Sequence, residues 1–294
     1  MKSLTATLLF ASNLLTSGAA ASDWQSIPRP ELAPATIGEA VQSLRAPLVR
    51  SAAVRTEVIS IDSRDSSFLI PIAGNTAASN GTYFRSDVVI ANYRASEQRV
   101  GVGWMAAGQD NTHSLLTYFT IPSNTVLAQD DFVAQVLGKT GLGGVVVFGV
   151  DAIGNNDSTA RLDGFSRIWT YQPGSAGTVS QNFDAVSLLD SIGSLTAYLV
   201  GLKQSADFRT NIGVVNLDSV AHVWTAKSVQ TGAITTISVP PYSVVQTGLA
   251  PGSASGVGNV ALTLISNGFG FWWSAYGSTV DNRTGDGWVA RAKQ

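Results

Sequence analysis

The sequence of 294 residues contains no cysteine. That excludes disulfide staples, thiolate metal sites and lipid attachment through a thiol. Charged residues make up only 13%, about half the usual share, and the formal net charge is −2. No basic field exists to gather phosphates, which argues against nucleic acid as a partner. The only histidines, His113 and His222, lack a second histidine at i+2 or i+4, so neither a zinc site nor a Ser–His–Asp triad finds footing. No G-x-S-x-G elbow occurs, and "PGSAG" at Pro173–Gly177 reads as a turn.

Apolar runs are short throughout. The opening "MKSLTATLLFASNLLTSGAAAS" combines Lys2, an apolar stretch at Leu8–Leu15 and a small-residue end at Ala19–Ala21. That layout predicts a secretory signal peptide over 1–21, cleaved after Ala21, with export to the periplasm or beyond. No later stretch reaches membrane-spanning length, so no span is expected after cleavage.

The remainder of the chain divides by composition. Residues 22–65 hold four of the ten prolines, Pro28, Pro30, Pro34 and Pro47, and read as an extended Pro-rich arm. "IGEAVQSLRAPL" predicts a short helix cut by Pro47, and "TEVISI" (Thr56–Ile61) alternates like a strand. The arm is either a loose leader or a segment that docks on a sheet edge, its own or a neighbour's.

From Ser67 onward, short apolar or alternating runs are separated by Gly, Asn, Asp and Pro at sandwich spacing. One short helix is expected at Asp130–Gly138, with Asp130 or Asp131 as its cap. Four segments recur in order. "FRSDVVIANY" (Phe84–Tyr93) returns as "FRTNIGVVNL" (Phe208–Leu217), 124 positions on. "IPSNTVLAQ" returns as "VPPYSVVQ" at 118, "GVVVFGV" as "NVALTLI" at 115, and "FSRIWT" as "FGFWWS" at 104.

An offset that only shrinks is what loop shortening in a second copy produces. The expected fold is therefore all-β: two tandem immunoglobulin-like antiparallel β-sandwich domains, 66–185 and 186–294. Asn182–Leu202 is too apolar for a free linker, and "TAYLVGLK" should open the second copy as "SFLIPIAG" opens the first. On the repeated strand, Phe84, Ser86, Val88, Ile90 and Asn92 should face the core. Arg85 and Asp87 should pair on the other face, and Asn92 and Asn216 should end their strands in turns of positive φ.

"IPIAGNTAASNGTYFRSDVVIANY" and "FRTNIGVVNL" resemble a strand–loop–strand pattern of uncharacterised exported bacterial proteins with tandem immunoglobulin-like repeats. The shared kernel is Phe–Arg–Ser/Thr–Asp/Asn, an apolar alternation, then Asn. The resemblance implies a fold and a compartment, and no substrate.

Candidate sites are few. Loop "DAIGNNDSTARLDG" brings Asp151, Asp157 and Asp163 within one insertion, and "VDNRTGDG" brings Asp281 and Asp286. Hard oxygen ligands on flexible loops could hold calcium, although neither spacing is that of an EF-hand; solvated turns are the plainer reading, and no other cofactor is implied. Trp169 and Trp273 fall at aligned positions, and Trp104 and Trp224 fall in corresponding strands. Trp272 and Trp273 are consecutive, so one must point away from the sandwich core, into the domain joint or toward a sugar or partner. Asn80, Asn156 and Asn282 match glycosylation acceptors and read as loop composition.

These features predict a secreted non-catalytic structural or interaction protein of the cell surface or extracellular matrix, self-assembling if the arm adds to a neighbour's sheet. Its partners would be itself, another surface protein or a glycan. The alternatives are a carbohydrate-binding module and, last, a glycoside-cleaving enzyme using the Asp-rich loops.

Overall fold

The computed structural model describes residues 24–50, 66–78, 81–172, 174, 176–256, 258–268 and 270–294. The leader at 1–21, the strand expected at Thr56–Ile61, the acceptor Asn80, Pro173 of "PGSAG" and Phe269 of "FGFWWS" lie outside the described residues.

The chain enters through β1 (Ser26–Ile27) and α1 (Ile37–Arg50). Eight strands come next: β2 (Ser67–Ala77), β3 (Tyr83–Asn92), β4 (Gln98–Ala106), β5 (Leu116–Ile121), β6 (Thr125–Gln129), β7 (Gly141–Val150), β8 (Leu162–Tyr171) and β9 (Thr178–Asp184). The short α2 (Phe132–Gln135) lies between β6 and β7, and β10 (Val186–Ser187) pairs back onto β2. Eight more strands complete the chain: β11 (Thr196–Lys203), β12 (Phe208–Asn216), β13 (His222–Ser228), β14 (Ile234–Val239), β15 (Ser243–Gly248), β16 (Asn259–Ser266), β17 (Trp273–Asp281) and β18 (Gly287–Arg291).

Both sets of eight follow one order. The first forms β2-β7-β4-β5 and β6-β3-β8-β9, joined at a corner where β2 ends against β3; the second forms β11-β16-β13-β14 and β15-β12-β17-β18. In each, the second strand pairs with the fifth and the third with the sixth, the central pairings of an immunoglobulin-like sandwich. The first, fourth and seventh strands lie in the opposite sheets relative to a constant-type domain, the fourth pairing with the third. Both first strands also break register at matching points, between Ile70 and Ala73 and between Leu199 and Leu202.

Strand register corrects two of the sequence alignments. Asn92 lies opposite Leu162, and Asn216 opposite Trp273. Leu162 is thus the counterpart of Trp273, and Trp169 that of Val280, an offset of 111 rather than 104. Gly149 faces Val100 as Ser266 faces Trp224, which makes the β7–β16 offset 117 rather than 115. Trp273 through Thr279 are buried on both faces, so no polar alternation marks the register in sequence.

Three apolar layers separate four sheets. Phe68, Ile70, Val88, Ile90, Val145 and Val147 fill the first sandwich, and Leu199, Ile212, Val214, Trp224, Leu262 and Trp273 fill the second. Between them lies a third layer. Leu69, Met105, Val146 and Phe148, on the back of β2-β7-β4, meet Val215, Val244 and Tyr276 on the back of β15-β12-β17. Burial on both faces explains why "GVVVFGV" reads as a continuous apolar run. Gly213 is needed here, because a Cβ would lie 2.0 Å from the Tyr276 ring. Backbone bonds stitch the joint: Gly108 N donates to Val244 O at 2.9 Å and Asn111 N to Pro241 O at 3.1 Å.

The described part of the arm docks on its own chain. Trp24 packs edge-on against Phe119 and Phe132, and β1 adds to the free edge of β5. Helix α1 then buries Ile37, Ala40, Val41 and Leu44 in the third layer, with Ile37 seated on Gly103, whose absent Cβ would lie 2.7 Å from Ile37 Cγ1. Thr36 and Glu39 cap it reciprocally: Glu39 N donates to Thr36 Oγ1 at 3.2 Å and Thr36 N to Glu39 Oε2 at 3.0 Å. The helix is not cut at Pro47 but runs to Arg50. Proline removes one intrahelical donor, and tertiary packing of the first turns outweighs that loss.

Two further expectations change at residue level. Asn92 and Asn216 do not have positive φ; that conformation falls instead at Asn124 (48°) and Tyr242 (43°), two residues after Pro122 and Pro240. Asp131 precedes α2 with φ 50° and no capping bond, and Arg85 lies 3.6 Å from Asp131. Asp87 takes Arg167 at 3.2 Å. Of the expected core-facing set of β3, Ser86, Val88, Ile90 and Asn92 are buried, while Phe84 is only half-buried.

Candidate functional site

A cleft of about 610 Å³ opens where the two sandwiches meet. Its first wall is the core-facing side of β8 and β9, which overhangs the second sandwich with Ile168, Val179 and Phe183. The second wall is the back of β12, β15 and β17, presenting Arg209, Asn211, Gln246 and Ser278. Ile72 and Leu142 also line it, and the β17–β18 turn at Asn282–Thr284 forms an exposed rim. Apolar lining with a few convergent polar groups, at a domain interface, is the usual character of a ligand pocket.

The polar groups differ in how far they are engaged. Gln181 is committed to the joint, accepting from Ser278 Oγ at 2.6 Å and donating to Thr279 O at 3.0 Å. Gln246 Oε1 accepts the Tyr276 hydroxyl at 2.8 Å, whose pKa is driven far above its ordinary value by burial. Arg209 Nη1 donates to Asn282 Oδ1 at 2.6 Å. Arg283, on the rim, pairs with Asp207 at 2.7 Å. Asp281 Oδ1 accepts the amides of Arg283 and Thr284 at 2.7 and 3.2 Å, so it closes its own turn.

The sequence-predicted tryptophans fall in three different environments. Trp273 is wholly buried in the second core, its Nε1 donating to Ser194 O at 3.0 Å, and it offers no face to a ligand. Trp272 packs at the joint, where the Arg45 guanidinium lies 5.6 Å from its ring centre. Arg45 also donates to Gly270 O at 2.6 Å and lies 3.4 Å from Asp218, whose other oxygen meets His222 at 2.9 Å. Trp169, like Trp272, is only partly covered. It is half-buried on the outer face of β8, edge-on to exposed Tyr171, and Nε1 donates to Asp87 Oδ1 at 2.7 Å. Arg85 and Arg167 flank its ring at 5.6 and 5.9 Å, and exposed Tyr83 lies under Arg85. Beside them, burial raises the Asp131 pKa against the opposing pull of Arg85, with Asp87 adding to the rise.

The calcium candidates are dispersed over separate turns. Asp151 Oδ1 accepts the amides of Ile153 and Asn155 at 3.0 and 2.9 Å. Asp157 takes Thr159 and, at 2.6 Å, Arg94; burial pushes its pKa up, but these partners outweigh it and hold the carboxyl below its ordinary range. Asp163 is exposed and accepts its neighbour's amide, Gly164 N, at 2.7 Å. Asp286 N donates to Thr284 Oγ1 at 3.2 Å within the β17–β18 turn. Among the described residues no three acidic or histidine side chains are grouped to hold a metal ion.

Arg209, Asn211 and Gln246 were not singled out from sequence, because the cleft arises only when two distant sheets meet. One signal was available: Arg209 keeps the arginine of the repeated kernel while Asp87, two residues on, becomes Asn211. The fold and these sites define an all-β protein of two stacked sandwiches. No protein-family model matches the chain, and no curated protein matches it.

Proposed function

We propose that this chain is a secreted, non-catalytic structural or interaction protein of the cell surface or extracellular matrix. In this reading it is a tandem duplication of one immunoglobulin-like module, and further copies join through the N-terminal arm. The observation that carries it is the docking of the arm. Trp24 and β1 complete a free sheet edge within one chain, and the same edge addition between chains would link copies. Light scattering over a concentration series tests this on the chain from Ser22 and its Trp24→Ala and Ile27→Pro variants. Oligomers that form in the parent and are lost in both variants support assembly through the arm. A monomer at every concentration removes self-assembly from the reading.

A second reading, a carbohydrate-binding module, draws on the Trp169 face. Tyr83, Trp169 and Tyr171 give ring faces on a sheet surface, with Arg85 and Arg167 as donors beside them. Glycan-induced changes in tryptophan fluorescence that vanish in Trp169→Phe would favour it.

A further inference from the structure

We infer that the cleft between the sandwiches binds an amphipathic anion: a carboxylate on an acyl chain, its head at Arg209 and its chain against Ile168, Phe183 and Ile72. This goes beyond the structural role above and does not depend on it.

The inference comes from comparing the two halves at matched register. In the first, Arg85 sits among Asp131, Asp87, Arg167 and Trp169, so its charge is balanced. In the second, register places Arg209 among Leu249, Asn211, Ser278 and Val280. Both acids have become neutral, and the second arginine has become serine. The first arginine remains. Its contact at the cleft is to the neutral Asn282 carboxamide, and among the described residues no carboxylate pairs with it. A cation kept while its counter-charges are removed favours an anion from outside the chain.

The surroundings specify what else that anion carries. Arg209 is exposed at the mouth, Asn211 and Gln246 are half-buried behind it, and Phe183 and Ile72 lie deepest. Asn211 adds a carboxamide on the same side of β12 as Arg209, two residues along the strand. Gln246 accepts through Oε1, which leaves its Nε2 as a donor. The opposite wall presents Ile168, Val179 and Phe183, interspersed with Thr170, Gln172, Ser180 and Gln181. A small dianion would leave that wall empty, whereas a neutral hydrocarbon would leave the guanidinium unmatched. A carboxylate with an aliphatic tail satisfies both walls.

The test is a fluorescence titration of the full chain with dansyl-labelled undecanoic acid, followed by displacement with decanoate or its methyl ester. Saturable binding, displaced by the acid but at least about tenfold less well by the ester, is expected, with affinity falling as salt rises. Arg209→Gln should weaken the probe about tenfold or more, and Ile168→Trp, which fills the cleft, should abolish binding. Near-ultraviolet circular dichroism confirms that each variant keeps the parental fold. No saturable signal, equal displacement by acid and ester, or unchanged affinity in Arg209→Gln would overturn the inference. Because the readout is ligand affinity, oligomeric state does not enter it.

Discussion

Asn92 and Asn216 make the same bonds in each half. Asn92 Nδ2 reaches Ser96 O at 2.9 Å, Ile121 O at 3.2 Å and Pro122 O at 2.9 Å, while its Oδ1 accepts Arg94 N at 3.0 Å. Asn216 Nδ2 reaches Val220 O at 2.7 Å, Val239 O at 3.3 Å and Pro240 O at 3.0 Å, and its Oδ1 accepts Asp218 N at 3.0 Å. One buried carboxamide thus clamps two loops at the end of each sandwich. Replacing either with alanine strands buried carbonyls, at about 1–3 kcal/mol for each group left unsatisfied. Asn92→Ala and Asn216→Ala should therefore each lower the urea midpoint clearly. Asparagine to aspartate should be worse at neutral pH, since a carboxylate repels the carbonyls it would face. The asparagines were legible as a repeated position, but their role was not. A strand-ending Asn suggests a turn, and only the tertiary structure brings the Ile–Pro and Val–Pro loops within reach.

Among the elements, α1 shows how local and tertiary signals divide. "TIGE" at Thr36–Glu39 is a capping box, a start signal that was available in the sequence. The Ala35 amide foremost, then the Thr36 hydroxyl, holds the Glu39 carboxyl below its ordinary 4.5. Stability from this cap is present above the unfolded pKa and is lost as pH falls through the lower folded value. Thr36→Ala should cost about 1 kcal/mol, and Ile37→Ala, which empties a site against Gly103, about 2–5 kcal/mol. Urea denaturation at neutral pH checks both, and the Thr36→Ala penalty should shrink in acid. A chain starting at Ser66 lacks α1 entirely, so its third apolar layer would be exposed. The helix passes Pro47 because the joint holds its first turns, a contact no local pattern encodes.

For the whole molecule, the third apolar layer decides the behaviour. Two sandwiches on a flexible tether would melt separately, but Val215, Val244 and Tyr276 share a core with Leu69, Val146 and Phe148. Calorimetry should show one cooperative transition. Val244→Asp buries a charge without a partner, a loss of several kcal/mol, and should split the transition in two while leaving both inner cores intact. The sequence by itself determined the all-β class, the order of the repeated segments and the inward face of β3, because alternation and turn residues are local. It also placed Thr196–Lys203 as the opening strand of the second set. Tertiary structure decided the register of β17, the path of the arm and the cleft in which Arg209 pairs with no acid among the described residues. Each of those depends on which faces of distant strands are covered, and a strand buried on both sides carries no pattern that says so.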